Sequence, residues 1–305
     1  MAGFAVTKLE CALTILLSLN CVNEGIVLGA SVAEQRTTDA GVNVSQDNAI
    51  VHSDIEPQQN RTPISSDEWP WSAVGRINIA ITTQRSFCTG TLVGPRTVIT
   101  AAHCLIDARL NEWIRPDVVH FVAGLSPGNR FAGHSAVSSY VTSPDFKHGS
   151  QDRSPDYEYR RQGRINPIQA GMVKNDWAVL TLQDTLDVKS IPIQALPNAD
   201  LPGSGSENEI VLPGYGADRP YLLSASRNCS ARTDVKELGR GSLVHNCDTV
   251  SGGSGSPVLL LRNGMVALIG ISTAAGFGGS PNRPVHGGLG VSATEFAREV
   301  SAVVW

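Results

Sequence analysis

From residue 69 onward the chain alternates short apolar runs with Gly, Pro, Asn and Asp, at intervals typical of an all-β sandwich or barrel. Residues 73–83 set Ile77, Ile79 and Ile81 against Asn78 and Ala80, the period-two pattern of a half-buried strand. Runs at 87–93, 97–101, 118–123, 137–141 and 177–182 continue the series. The polar stretch 143–174 is too long for a hairpin loop and reads as an elaborated surface insertion. In 190–213, Pro192, Pro197 and Pro202 forbid regular ladder pairing, so this segment crosses from one β-rich half to the next. Farther on, 258–262 and 265–273 flank Asn263-Gly264, a pair suited to the positive φ angles of a type I′ hairpin turn. Residues 292–304 predict a helix, with Ser292 and Glu295 as a capping box and Phe296, Val300 and Val303 on one face. The pattern is an all-β body with one C-terminal helix.

The N-terminal quarter is different. Residues 1–33 have the form of an export signal: Lys8 in a short lead, an apolar stretch at 11–22, then Ser31 and Ala33 at cleavage-type spacing, although Glu10 and Asn20 weaken the first two features. That stretch is shorter than the ~20 residues a membrane-crossing helix needs, and no other stretch reaches that length. A secreted or periplasmic protein with no stable membrane anchor after signal removal is expected. Residues 34–66 are polar and aperiodic, a linker, arm or propeptide. The expected organisation is a signal at 1–33, an arm at 34–66, a first β-domain at 67–189 and a second at 190–305.

Composition narrows the partners. A formal net charge of −4 argues against nucleic acid, and the densest basic run, 153–164, is interrupted by Asp156 and Glu158 as in a solvated loop. Of six cysteines, Cys11 and Cys21 fall in the signal. The even number remaining in an exported chain favours disulfides, and pairing by proximity joins Cys88 to Cys104 and Cys229 to Cys247. A zinc site using His245, between the second pair, has a spacing that fits no familiar ligand pattern.

The chemistry centres on CDTVSGGSGSP at 247–257. Gly252, Gly253 and Gly255 surround Ser254, leaving a hydroxyl on backbone free to turn and amides able to converge on an anion. The same composition also describes a flexible loop. A serine nucleophile needs a base, and the base needs a carboxylate to orient it. Among seven histidines, His103 stands at the end of the strand in TLVGPRTVITAAHC, beside Cys104. Asp176 heads the apolar strand of NDWAVLTL. An α/β-hydrolase arrangement is excluded, because no Asp or Glu lies between Ser254 and His286, the sole histidine after it.

WPWSAVGRI at 69–77, CTGTLVGPRTVITAAHC at 88–104, NDWAVLTL at 175–182 and CDTVSGGSGSPV at 247–258 together resemble the successive landmarks of the trypsin/chymotrypsin family of serine proteases. GGSGSP is most similar to bacterial trypsin-like and glutamyl-endopeptidase-like members. The resemblance implies two packed six-stranded antiparallel β-barrels with the site in the cleft between them. It implies His103 as general base, Asp176 as its orienter, Ser254 as acyl-enzyme nucleophile, and the amides of Gly252 and Ser254 as oxyanion hole. No cofactor or metal is implied, and the expected partner of a monomeric enzyme is a polypeptide substrate.

The chain departs from the family at Gly253, where digestive members carry an Asp that pairs with a new amino terminus after activation cleavage. That switch is in doubt here, and shortening the arm is expected to change stability or secretion more than turnover. Asp248 stands six residues before Ser254, the base of the P1 pocket in trypsin-like members, and favours a basic P1 residue; its other reading is to hold the turn beside Cys247. Thr249, Ser272, Thr273, Ala274 and Ala275 complete the expected pocket, with Gly287 to Gly290 opposite. Ser272 stands roughly where glutamyl endopeptidases carry a carboxylate-binding His, and the two alanines leave an open wall compatible with small P1 residues. The competing functional class is a non-catalytic binding protein on the same fold, whose usual mark is a lost triad member; a protease-chaperone would need a further peptide-binding domain after residue 305.

Overall fold

The computed structural model describes residues 61–80, 85–107, 109–146, 173–201, 208–236, 238–275 and 285–304. The expected export segment, the expected arm up to residue 60 and most of the stretch read as an insertion lie outside them. In chain order the strands are β1 (Arg61–Pro63), β2 (Val74–Ala80), β3 (Arg85–Gly94), β4 (Thr97–Thr100), β5 (Ile106–Asp107), β6 (Glu112–Trp113), β7 (Val119–Ala123), β8 (Gly133–Thr142) and β9 (Ala178–Leu182). The second half contributes β10 (Asp200–Leu201), β11 (Asn208–Gly216), β12 (Arg219–Cys229), β13 (Ala231–Thr233), β14 (Ser242–Thr249), β15 (Ser256–Arg262), β16 (Met265–Ala275) and β17 (Val285–Ser292), followed by helix α1 (Ala297–Val304).

Six antiparallel strands close the first barrel in the order β2-β3-β4-β9-β8-β7. The alternation at β2 is satisfied as the sequence predicts, with Ile77 and Ile79 buried and Asn78 half-buried; Ile81 lies outside the described residues. The second sheet has the order β1-β12-β11-β15-β16-β17-β14-β13-β10. It is a nine-stranded sheet curled into a half-barrel, with more strands than the six expected. Its seam is drawn together where the Cys229–Cys247 disulfide joins β12 to β14 and the Asp248 amide donates to Ser226 Oγ at 3.0 Å. The Cys88–Cys104 disulfide ties β3 to the turn after β4. Both pairings are those expected from sequence proximity. The architecture is the chymotrypsin-like two-barrel fold with a C-terminal helix.

The two β-units share a core. Leu259, Leu268, Ile271, Tyr215 and Phe296 join the cluster formed by Ile77, Leu92, Ile99, Phe121 and Leu180, whereas Leu260, Val258 and Ile269 pack in a separate cluster inside the second sheet. This explains the uninterrupted apolar run 258–261: both faces of β15 are covered, so strict alternation is not required. The hairpin at Asn263-Gly264 has φ of 49° and 76°, as a type I′ turn demands.

Two boundaries differ from the sequence reading. Helix α1 begins at Ala297, not near Ser292, because Ser292 is still paired with Gly270 and its amide donates to the Gly241 carbonyl. The expected capping box therefore does not start the helix, although Phe296 and Val300 are buried and Val303 packs on the core as predicted. Residues 61–66, read above as the end of the arm, belong to the folded body: β1 pairs with β12 through Arg61↔Ser226, Thr62↔Ala225 and Pro63↔Ser224, and Ser66 Oγ donates to the Gly124 carbonyl at 3.0 Å.

The disulfide at the seam spans a sequence separation of 18. Replacing Cys229 and Cys247 by alanine is expected to lower the unfolding free energy by about 3 kcal/mol, measured as a shift in urea midpoint at constant slope.

Candidate active site

His103 sits in a tight 3-10 turn, Ala102–Leu105, directly after β4, with Cys104 anchoring the turn to β3. Asp176 precedes β9, and because β4 and β9 are paired, with Thr100 opposite Ala178, the two side chains meet. His103 Nδ1 lies 2.6 Å from Asp176 Oδ2, and the His103 backbone amide donates to Asp176 Oδ1 at 2.9 Å. One carboxylate thus holds both the ring and the backbone of one histidine, an arrangement that favours the tautomer with the proton on Nδ1. Burial pulls the His103 imidazole down, but the charge of Asp176 and its hydrogen bond outweigh this, and the net shift is upward from 6.5. The ring remains 40% exposed, so its outer edge is open to a reactant.

Ser254 lies in the turn between β14 and β15. This loop is pinned to the first barrel by one residue of β3: the Thr89 amide donates to the Ser254 carbonyl at 2.9 Å, and Thr89 Oγ1 donates to the Gly252 carbonyl at 3.3 Å. Gly255, at φ +80°, lies against β3 and the end of β4; a Cβ there would meet Thr100 Oγ1 and the Thr89 carbonyl at 2.3 Å and the Ala101 amide at 3.0 Å. Ala101 is two residues from His103. The glycine-rich loop of Ser254 thus packs against β3, the end of β4 and Ala101, two residues before His103.

The backbone bonds of the loop also set the direction of its amides. The Ser251 carbonyl accepts from the Ala217 amide at 2.7 Å, and the Gly253 carbonyl accepts from the Ser256 amide at 2.9 Å. In a planar trans peptide the next N–H points the opposite way. The amides of Gly252 and Ser254 are turned away from those partners, while the Gly253 amide between them in sequence donates to Val250 O at 3.0 Å. Gly252, at φ +88°, cannot be replaced cheaply: a Cβ would lie 2.5 Å from the Phe87 ring.

The expected pocket residues Asp248, Thr249, Ser272 and Thr273 are all buried. Asp248 on β14 is opposite His286 on β17, and Ser272 on β16 is opposite Gly290. Ala274 and Ala275 lie on β16 opposite Leu289 and Gly288. Sequence reasoning gave no pocket role to His245. Its Nε2 lies 3.0 Å from Ser272 Oγ, although β17 separates their strands, and the glycines Gly288 and Gly290 leave room for that crossing. Burial pushes the His245 imidazole down to about 4, a backbone hydrogen bond at Cys247 opposing it in part. Phe87, Thr89 and Tyr215 were also missed as site residues. Their one signal is adjacency to Cys88, and for Tyr215 none.

Metal binding finds no support in the chemistry of the nearest donors. Cys88, His103 and Cys104 cluster within 4.8 Å, but both sulfurs are in a disulfide and offer no thiolate. The same holds for the zinc site considered at His245, since Cys229 and Cys247 bond to each other.

Because His245 is neutral in the fold below its ordinary pKa, folding excludes a proton that the unfolded chain takes up near 6.5. The stability this provides is complete above pH 6.5 and lost as pH falls towards 4. Urea unfolding should show a fall of up to ~1.4 kcal/mol per pH unit in that window, absent in His245→Gln.

A family profile described as the trypsin-like peptidase domain matches residues 88–271, a span holding His103, Asp176 and Ser254. Human serine protease 23 is 32% identical over 181 residues, covering 56% of this chain and 42% of the relative. The cercarial protease of Schistosoma mansoni is 30% identical over 140 residues, covering 45% and 47%. Each match thus spans less than half the length of the relative. Among solved structures, a Glu endopeptidase aligns with TM-score 0.55 at 18% identity, over 81% of this chain and 97% of that one. A thermostable serine protease from an extremophilic microorganism aligns with TM-score 0.53 at 18% identity, over 76% and 97%. At that identity the likeness concerns the fold. On the family match and the fold, the chain belongs to the trypsin-like peptidase domain family of serine proteases.

Proposed function

We propose that the chain is an exported serine endopeptidase that cleaves peptide bonds through a Ser254 acyl-enzyme. The observation that carries this reading is the two-point grip of Asp176 on His103, through Nδ1 and the backbone amide, with the Ser254 loop packed beside the histidine turn. His103 Nε2 takes the Ser254 proton as Oγ attacks the substrate carbonyl. The amides of Gly252 and Ser254 receive the charge that develops on the carbonyl oxygen. The imidazolium, stabilised by Asp176, then protonates the leaving amine, which departs as the acyl-enzyme forms. A water molecule, deprotonated by the same imidazole, releases the acid product and restores Ser254. Export accords with two disulfides. A non-catalytic binding protein has less in its favour, since base, orienter and hydroxyl are all retained.

The sign of the pH dependence follows from His103. Its net upward shift keeps it protonated, and unable to act as base, to a pH above 6.5. The acid limb of kcat/KM on a peptide substrate is therefore expected to have its midpoint above 6.5. Asp176→Asn removes the upward influences and leaves burial, so the midpoint moves down, while kcat falls by ~10⁴-fold. Ser254→Ala should abolish labelling by a serine-directed phosphonylating probe; equal labelling of both proteins would refute the nucleophile.

For specificity the proposed reading is a basic P1 residue held by Asp248, buried on β14 between Ser226 and the strand partner His286. A peptide library varied at P1 should show cleavage after Arg or Lys that disappears in Asp248→Ser. Unchanged preference in that variant would leave Asp248 a structural residue and favour small or acidic P1 side chains.

A further inference from the structure

The Arg61 side chain is only 6% exposed. A guanidinium so buried is costly unless its donors are met and its charge is paired. Here Nη1 lies 3.0 and 3.3 Å from the two carboxylate oxygens of Asp218, and Nη2 donates to the Gly214 carbonyl at 3.3 Å. The grip is returned from the other side, where Arg219 Nη1 donates to the Arg61 carbonyl at 3.1 Å. The groups held by the Arg61 side chain, Asp218 and Gly214, both belong to the segment Gly214 to Arg219 that joins β11 to β12.

That turn faces the nucleophile loop. Its central residue, Ala217, donates to the Ser251 carbonyl at 2.7 Å, the bond that orients the Gly252 N–H. Val250 lies against the same turn: a Cβ built on Gly216 would be 2.2 Å from Asp218 Oδ1, 2.3 Å from Val250 Cγ2 and 2.9 Å from Arg61 Nη1. Arginine, turn and loop are in contiguous contact. Gly253, by contrast, offers no carboxylate to a cation, and its nearest neighbours are the Val250 carbonyl and Ser256 Oγ.

We propose that Arg61 is a positioning residue for the oxyanion loop: through Asp218 and Gly214 it fixes the turn whose Ala217 amide sets the direction of the Gly252 N–H. This rests on the assignment of Gly252 as oxyanion donor in the proposed function. The cation comes from a side chain, placed by the pairing of β1 with β12, rather than from an amino terminus created by cleavage. Catalytic competence then depends on keeping residues 61–63 docked. Truncation of the arm short of residue 61 leaves turnover intact, whereas loss of Arg61 does not, which moves the expectation stated for the whole of 34–66.

The test compares Arg61→Met, Arg61→Lys and Asp218→Asn with the unaltered chain in steady-state peptide hydrolysis and in affinity for a peptide aldehyde, whose tetrahedral adduct places an oxyanion on the loop amides. Arg61→Met is expected to lower kcat by ~10-fold or more, with KM within about twofold, and to weaken the aldehyde by a similar factor. Arg61→Lys keeps the charge without the fork and loses less. Combining Arg61→Met with Asp218→Asn should be no worse than the more severe single variant. Should Arg61→Met fail to fold, Arg61→Lys and Asp218→Asn carry the same comparison. A lowered Tm with unchanged kcat and aldehyde affinity, measured where every variant is folded, would overturn the positioning role alone. Absence of both turnover and aldehyde binding in the unaltered chain would overturn the proposed function and this inference with it.

Discussion

Thr89 is the residue on which the two halves of the molecule are joined at the site. It is fully buried, and its polar groups have partners in the Ser254 loop, in β11 and in β4. Its amide goes to Ser254, its hydroxyl donates to Gly252 and accepts from the Tyr215 amide at 2.9 Å, and its carbonyl accepts from Thr100 Oγ1 at 2.7 Å. A small β-branched side chain suits this place: it is stiff at χ1, and it carries one donor and two acceptor lone pairs. Valine has the same shape but no hydroxyl, and would leave the half-buried Gly252 carbonyl and the buried Tyr215 amide without that partner. The Ser254 loop, rich in glycine and able to take many shapes, is held in one of them by a strand it does not belong to.

Two imidazoles near this junction are shifted in opposite directions by their surroundings. His103 has a carboxylate at 2.6 Å and shifts upward; His245 has a serine hydroxyl and apolar surroundings and shifts to about 4. The same side chain is made a proton acceptor in one place and a neutral packing group in the other. Charge, not burial alone, makes the difference, since burial depresses both.

What could be read in advance were features with a local signature. The alternating isoleucines of β2, the Asn263-Gly264 turn, the clamp of Cys104 beside His103 and the glycines around Ser254 each state their requirement within a few residues. The partners that bring them together did not. The sequence around Thr89, Arg61 and His245 does not name their partners, because their contacts cross sequence separations of 163 to Gly252, 157 to Asp218 and 27 to Ser272. The helix start was misplaced for a related reason: Ser292 has the side chain of an N-cap, but its backbone was already committed to β17. The second sheet gains an edge strand in β1, which polar composition had assigned to the arm.

The short strand β1 has a bearing on solubility as well. The second sheet ends on β1 and β10, strands of three and two residues, and not on the eleven-residue β12. A long bare β12 would present a row of unpaired amides and carbonyls on which another chain could assemble. Over Ser224 to Ser226 that row is covered, and the covering strand ends at Pro63, which has no N–H to offer a newcomer. Removing residues 61–63 would thus open an edge for intermolecular pairing, so that aggregation and loss of solubility would accompany any loosening of this segment.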